Sequence, residues 1–274
     1  MKRYGWMLVC VVSMLGVDSA RAELKIERIQ AAYGRFGPVR KTLTVSDQDE
    51  IYFYFDILGV QTDDEGKIDQ VIRLEIKDPE GKTVLNKDNP VPRAQTLGGG
   101  RLPGMASVTF GTSGTPGPYT LTVTAIDKLS GSQASFQRTL NYQPGGFHIA
   151  APQFSYDAEG KVLAPVGGVE GQTLYLRLKA VGLDPQAVKL DTAMSMQVVD
   201  SSGKEAFPKP LVAVVREDDA TKVRQIQFVT FNASFALTRP GDFTLRIQVE
   251  DRVAKKISKF EAPLHIGALP AIEP

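Results

Sequence analysis

Side chains suited to acid–base or nucleophilic chemistry are scarce in this chain. It has two histidines, His148 and His265, and each lies between apolar residues in a stretch with the pattern of a strand. A Ser-His-Asp site would need one of them beside an exposed nucleophile, and the sequence has no Gly-x-Ser-x-Gly turn to present one. Zinc sites need clusters of His or Cys, and the one cysteine, Cys10, stands alone. The sequence therefore predicts a protein without catalytic residues or a metal site, not an enzyme.

Calcium is the one cofactor that the sequence leaves open. Three short acidic groups lie at 47–50, 63–65 and 217–219. A hard cation needs six or more oxygens in one place, and none of these groups has the spacing of a known calcium loop. Gly98–Arg101 is glycine-rich, but no Gly-Lys-Ser/Thr follows it, as a phosphate-binding loop would require. We expect solvated turns and no cofactor.

The stretch Lys87–Met105 is the strongest candidate for binding. It is KDNPVPRAQTLGGGRLPGM, rich in proline and glycine, and it separates two predicted strands. Loops longer than about 12–15 residues inside compact domains are usually functional or disordered. We predict contacts with a partner from Arg93, Leu97, Arg101 and Leu102, since planar guanidinium groups suit carboxylates and phosphates. The alternative is a solvated crossover between two sheets.

The elements that must position these residues are repeated along the chain. Gly117–Leu140 matches Gly241–Leu264 without a gap, 124 residues later. In both copies apolar and polar residues alternate, which predicts an antiparallel hairpin with one buried face. We expect the apolar set to be buried and the polar set exposed. The apolar set is Leu121, Val123, Leu245 and Ile247; the polar set is Thr122, Arg246 and Gln248.

Other segments repeat as well, so a whole domain is duplicated. Leu74–Lys82 matches Met196–Lys204, and Tyr54 is matched with Tyr175. The predicted domains are 23–143 and 147–267, followed by a frayed tail at 268–274. The short joint at Gln143–Gly146 permits a bend but little separation.

Each half resembles an immunoglobulin-like or fibronectin type III-like β-sandwich of the kind found in tandem in exported bacterial proteins. The segment Pro116–Leu121, PGPYTL, is similar to the tyrosine-corner region of such domains. Leu121 stands where antibody-type domains have a cysteine, and Phe243, the counterpart of Tyr119, has no hydroxyl. The resemblance implies an all-β protein of two tandem antiparallel sandwiches, and it implies nothing specific about function.

Residues 1–22 have the pattern of a cleavable signal peptide. Lys2 and Arg3 precede the short apolar run Trp6–Val17, and Ala20-Arg21-Ala22 supplies a small-residue cleavage site. Cleavage would remove three of the 32 basic and one of the 31 acidic residues, leaving a net charge of −1. Without a basic excess, nucleic acid is not an expected partner, and no membrane span is expected after cleavage.

We therefore expect a periplasmic, secreted or cell-surface protein with a binding or structural role in the cell envelope or an extracytoplasmic assembly. Its partner would be a protein or an envelope polymer. The alternative is an accessory or carbohydrate-binding module of an extracytoplasmic enzyme system. Such modules present exposed aromatic rings, and the aromatic residues near predicted turns are Tyr33, Phe36, Tyr156 and Phe207.

Overall fold

The computed structural model describes residues 23–95, 101–112, 114–184 and 186–269. The expected signal peptide, the end of the tail and Leu97 lie outside these ranges. The strands of the first half are β1 Lys25–Tyr33, β2 Thr44–Val45, β3 Glu50–Leu58, β4 Gln70–Lys77, β5 Thr83–Pro90, β6 Arg101–Thr109, β7 Gly117–Asp127 and β8 Gln133–Tyr142. Those of the second half are β9 His148–Ser155, β10 Gly167–Val169, β11 Thr173–Val181, β12 Leu190–Asp200, β13 Leu211–Glu217, β14 Phe228–Ala236, β15 Gly241–Asp251 and β16 Lys256–Gly267. The helix α1, Ala220–Val223, precedes β14.

Each half is a sandwich of a five-stranded and a three-stranded sheet. The first half has the orders β2-β8-β7-β4-β5 and β1-β3-β6, and the second has β10-β16-β15-β12-β13 and β9-β11-β14. Neighbouring strands are antiparallel, apart from the short parallel pairs β2/β8 and β10/β16. The protein is therefore all-β, with two tandem immunoglobulin-like sandwiches, as the sequence predicted.

The two sandwiches share fine detail as well as topology. The hairpins have the same register, with Val123 opposite Phe136 in one and Ile247 opposite Phe260 in the other. The turns after β4 and β12 also match: Asp78 N–H donates to the Lys82 carbonyl, and Asp200 N–H donates to the Lys204 carbonyl, both at 2.9 Å. These matches confirm two of the predicted repeat segments.

The predicted match of Tyr54 with Tyr175 is wrong by two residues. Lys25 pairs with Leu58 in the first sandwich, and His148 pairs with Val181 in the second. The equivalent strands β3 and β11 are therefore 123 residues apart, so Tyr175 corresponds to Tyr52. A shift of two residues keeps every side chain on its own face, so the alternating pattern cannot reveal it.

The hairpin interiors fill the two cores as predicted. Leu121, Val123, Leu245 and Ile247 are each at most 2% exposed. Arg246 is exposed, as expected, whereas Thr122 and Gln248 are half-buried. These two lie on β7 and β15, central strands whose neighbours on both sides shield the outer face.

The two sandwiches touch through the end of β1. The ring of Tyr33 stands edge-on to Phe260 of the second core, with centroids 5.4 Å apart. After β11 the chain turns at Gly182, with φ +75°, directly against the joint. A Cβ on Gly182 would lie 1.9 Å from the Gly146 carbonyl oxygen, so only glycine allows this approach.

Candidate functional site

The structure describes three of the four residues predicted to bind and places Arg93 apart from Arg101 and Leu102. Arg93 pairs with Asp63 at 2.6 Å beside the turn before β4. Arg101 and Leu102 are neighbours on β6 and point to opposite faces. Leu102 is partly buried and packs against the first core, on the face opposite to that of Arg101. Leu97 lies outside the described residues.

The stretch Lys87–Met105 is not one long loop. Lys87–Pro90 completes β5, and Arg101–Met105 begins β6. Between them, the Val91 N–H donates to the Gln70 carbonyl at 2.9 Å and Ile68 N–H donates to the Ala94 carbonyl at 3.2 Å. Residues 91–94 are therefore tied to the start of β4 and to the residue pair before it, and the binding hypothesis has to rest on a smaller set of residues.

Arg101 lies on the outer face of the three-stranded sheet and contacts a buried carboxylate there. Its Nε donates to Asp56 Oδ1 at 2.7 Å. Arg28, at a bulge of β1, approaches Asp56 Oδ2 as an ion pair without hydrogen-bond alignment. The Asp56 side chain is 7% exposed, whereas those of Arg28 and Arg101 are 61% and 52% exposed. One buried carboxylate thus fixes two guanidinium groups at the surface, where planar groups of this kind suit carboxylate or phosphate ligands.

Aromatic and apolar side chains continue this surface toward the other end of the sheet. Tyr52 and Tyr54 precede Asp56 on the outer face of β3, and Met105, 38% exposed, lies opposite Tyr54. Phe36 is 44% exposed, and its backbone N–H donates to the Tyr54 hydroxyl at 2.6 Å. We call this surface the tyrosine–arginine face; it consists of Arg28, Phe36, Tyr52, Tyr54, Arg101 and Met105.

Tyr52 is held in its neutral form. Burial, and then the hydrogen bond that its hydroxyl donates to Glu50 at 2.8 Å, raise its pKa from 10.0 to about 12. A hydroxyl fixed on its neighbour presents the ring to solvent in one orientation. Tyrosine and arginine dominate binding hot spots because they offer large contact areas and directional hydrogen bonds.

The equivalent face of the second sandwich has different chemistry. Lys179 stands where Asp56 stands, and Phe228 where Arg101 stands, because the registers β3/β6 and β11/β14 coincide. The Lys179 ammonium lies 4.5 Å from the Phe228 ring centroid. The paired arginines are therefore particular to the first sandwich.

The acidic groups considered for calcium serve separate structural roles. Asp47 accepts from the Tyr142 hydroxyl and, at 2.8 Å, from the Gly145 N–H of the joint. Glu50 accepts from Tyr52, and Asp63 accepts N–H groups within its own turn. Among the described residues, no three His, Cys, Asp or Glu side chains are placed to hold a metal ion.

The tyrosine that anchors the end of the first sandwich beside the joint is Tyr142 and not Tyr119. Tyr142 stacks on Phe110, with centroids 5.4 Å apart, and donates to Asp47. Burial and this bond raise the pKa of Tyr142 well above its ordinary range. Tyr119 instead packs edge-on against Tyr142. The expected similarity of Pro116–Leu121 to a tyrosine corner is therefore limited to position.

The histidines lie apart from each other. His148 Nδ1 is 3.0 Å from the Gly146 carbonyl oxygen. His265 pairs with Asp242 at 2.7 Å, where both side chains are at least 75% exposed.

No helix in the described ranges has the length and apolar character needed to cross a membrane.

Sequence reasoning missed the buried ion pair at the junction. Arg40 and Asp49 are each 6% exposed, and Nη2 of Arg40 lies 2.7 Å from Asp49 Oδ2. The guanidinium carbon of Arg40 also lies 4.7 Å from the Tyr33 ring centroid, so the pair supports the residue that contacts the second sandwich. Beside Tyr33, a cleft of about 520 Å³ runs between the 38–42 segment and β16. Neither spacing nor periodicity signals this arrangement, because Arg40 and Asp49 lie outside the regular strands and nothing in the sequence pattern marks them as buried.

Comparison with known proteins finds distant structural similarity alone. No protein-family model and no curated protein matches the chain. A Bacteroides uniformis beta-glucuronidase matches 80% of this chain with a TM-score of 0.40 and 12% identity, and the chain spans 26% of that protein. The C-terminal domain of the Streptococcus agalactiae AgI/II polypeptide BspA matches 88% of this chain with a TM-score of 0.29 and 10% identity, and 99% of that domain is covered. Similarity at this level carries no inference about function.

Proposed function

We propose that this protein is exported and acts, without catalysis, as a binding protein of the cell envelope or an extracytoplasmic assembly. The proposed docking surface is the tyrosine–arginine face of the first sandwich. The observation that carries the proposal is the pair of exposed guanidinium groups held on the buried carboxylate of Asp56. The second sandwich has no such pair at this place.

The fitting partner is a protein segment that presents carboxylates beside an apolar group. Arg28 and Arg101 contact Asp56 through their Nε atoms, and no hydrogen bond joins their terminal N–H groups to it, so these groups can serve a ligand. Met105 and Phe36 supply exposed apolar area next to them. Because the arginines are already held in place, less side-chain entropy is lost when a ligand binds.

A carbohydrate-binding accessory module is less well supported. That role needs exposed aromatic rings, but Tyr33 packs on Phe260 and Phe207 packs on Phe235. Tyr156 is partly buried against the second core. Of the four aromatic residues near turns, Phe36 alone is exposed.

The test is affinity capture of partners from envelope extract with the mature protein, followed by mass spectrometry and quantitative binding to the recovered partner. Met105→Glu places a negative charge in the centre of the face and should lower recovery at least tenfold. Val84→Glu is the matched control, since Val84 is 53% exposed on β5, outside the face, and should leave recovery unchanged. Equal recovery by both folded variants would contradict the proposal.

A second variant tests the arginines by their shape. Arg101→Lys keeps the charge but removes the planar fork, so binding should weaken while the fold persists. Arg73→Lys is its control, because Arg73 also donates to an aspartate, Asp88, through Nε and in addition through Nη2, on the other sheet. A partner that binds Arg101→Lys as tightly as the wild type does not use that guanidinium.

A further inference from the structure

One edge of the second sandwich is an apolar strand. β13 has the sequence LVAVVRE and, among the described strands, pairs with β12 alone. Val212 is 61% exposed, Val214 42% and Leu211 38%. An edge strand leaves a row of backbone N–H and C=O groups unpaired, so an apolar edge is a template for another strand.

The same edge of the first sandwich is blocked. Leu74 and Met196 are equivalent, and they pair with Lys87 and Leu211 respectively. Lys87–Pro90 therefore occupies the positions of Leu211–Val214. Lysine, aspartate and proline are common protections against edge pairing. The sequence KDNP in one copy and LVAV in the other shows that β13 lacks this protection.

The charges around β13 complement those of a second β13 in the reverse direction. Lys209 precedes the strand, and Glu217, Asp218 and Asp219 lie at its other end. Asp218 is 84% exposed, with its pair to Lys189 at a long 3.8 Å. Because the strand has seven residues, Val214 is its centre. Antiparallel pairing about Val214 brings the Lys209 end of each copy to the acidic end of the other, whereas parallel pairing would place like charges together.

The paired segment also has defined limits. Pro210 has no N–H group to donate, so the ladder ends at Leu211. Opposite Leu211 in this register lies Glu217, the other end of the strand. A shift by one residue would turn the exposed Val212 and Val214 to the wrong face, so the register centred on Val214 is favoured.

We propose that a second copy of this chain docks on β13 in antiparallel orientation and joins the two five-stranded sheets into one of ten strands. New backbone hydrogen bonds form along Leu211–Glu217 of both chains. On the outer face Val214 packs against its own counterpart, and the stem of Arg216 covers Val212 of the other copy. This surface lies on the second sandwich and is independent of the tyrosine–arginine face.

Sedimentation velocity over a concentration series tests the proposal. The wild type should sediment with twice the mass of one chain, and Val214→Lys with the mass of one. Asn86→Lys adds the same charge to the exposed edge strand β5 and should leave the dimer intact. A wild type that stays monomeric at the highest concentration, or a Val214→Lys variant that stays dimeric, overturns the proposal. A monomeric wild type that gains mass with envelope extract alone would identify a different occupant and refute the second copy.

Disulfide cross-linking checks the register without depending on a destabilising charge. In a Cys10→Ser background, Val214→Cys should cross-link to itself under mild oxidation, because the two positions are directly opposite. Val212→Cys should not, since the two copies of residue 212 lie about 14 Å apart, beyond the reach of a disulfide. A mixture of Val212→Cys and Arg216→Cys chains should cross-link. Self-linking of Val212→Cys, or none by Val214→Cys, overturns the proposed pairing.

Discussion

Breaking the buried ion pair at the junction should destabilise the first sandwich strongly. Asp49→Gln would leave the Arg40 guanidinium without its carboxylate in a site where both residues are 6% exposed. The carbonyls of Thr42 and Thr44 would remain as its acceptors. Removing one partner of a buried pair costs about 3–5 kcal/mol, because the remaining charge stays desolvated.

The second sandwich shows how the same positions are filled without a buried ion pair. Ala164 and Gln172 occupy the positions of Arg40 and Asp49, as their backbone hydrogen bonds show. There, Gln172 Oε1 accepts from the Val169 N–H at 2.9 Å. The double variant Arg40→Met/Asp49→Gln removes the buried charge and keeps the volume of the side-chain stem. It should therefore be more stable than Asp49→Gln alone, because replacing both partners of a buried pair by groups of similar volume is often nearly neutral.

Scanning calorimetry and denaturant titration of the two variants would decide the matter. At about 4 °C for each kcal/mol, Asp49→Gln should lower the melting temperature of the first sandwich by about 12–20 °C. The double variant should recover at least half of that loss. A single variant that melts within about 2 °C of the wild type, or a double variant that melts lower still, would refute the reasoning.

Three further predictions concern the cores, the junction and pH. Leu121→Ala and Leu245→Ala should each lower the free energy of unfolding by about 2–5 kcal/mol. Because the two leucines lie in separate cores, each variant should shift a different calorimetric transition. Shifts in melting temperature of about a degree would contradict this. Tyr33→Ala should lower the free energy of unfolding of the second sandwich by about 1 kcal/mol or more, because the edge-on contact with Phe260 is lost. An unchanged calorimetric transition of the second sandwich would exclude that contact. The folded-state pKa of Tyr52 is raised from 10.0 to about 12, so its contribution to stability is complete below pH 10 and is lost as the pH rises through about 12. In denaturant titrations between pH 9 and 12, Tyr52→Phe should therefore lose less free energy of unfolding than the wild type.

Local pattern was sufficient for the repeated hairpins. In β7 and β15 every second residue is apolar and the turn begins at an aspartate, so face, register and turn follow from period and composition. Asp127 Oδ1 accepts from the Leu129 N–H, and Asp251 Oδ1 accepts from the Val253 N–H, both at 3.0 Å. Each interaction is within a few residues in sequence, which is why the sequence alone predicts it.

The prolines of Lys87–Met105 misled the sequence interpretation. Pro90 and Pro103 suggested a loop, yet both lie in strands. Both strands are at sheet edges, where proline is tolerated because a missing N–H can face outward. Whether a strand is an edge or a centre depends on strand order, which a single sequence does not specify.

The candidate site depended on the same missing information. Arg28, Asp56 and Arg101 come from three strands, and 45 residues separate Asp56 from Arg101. Of the three, Arg101 was predicted, for its guanidinium chemistry. The carboxylate that fixes it stands in an ordinary aromatic strand, EIYFYFDIL, where an acidic residue on the outer face has no distinctive signal.

Oxidative footprinting of the protein with its captured partner tests the proposed docking surface most directly. Hydroxyl radicals modify exposed methionine and aromatic side chains, so Met105 and Phe36 report on the tyrosine–arginine face and Phe228, 37% exposed, reports on the equivalent face of the second sandwich. We predict that the partner lowers oxidation of Met105 and Phe36 several-fold while Phe228 reacts as it does in the unbound protein. Full binding with unchanged oxidation of Met105 and Phe36 would contradict the proposed function.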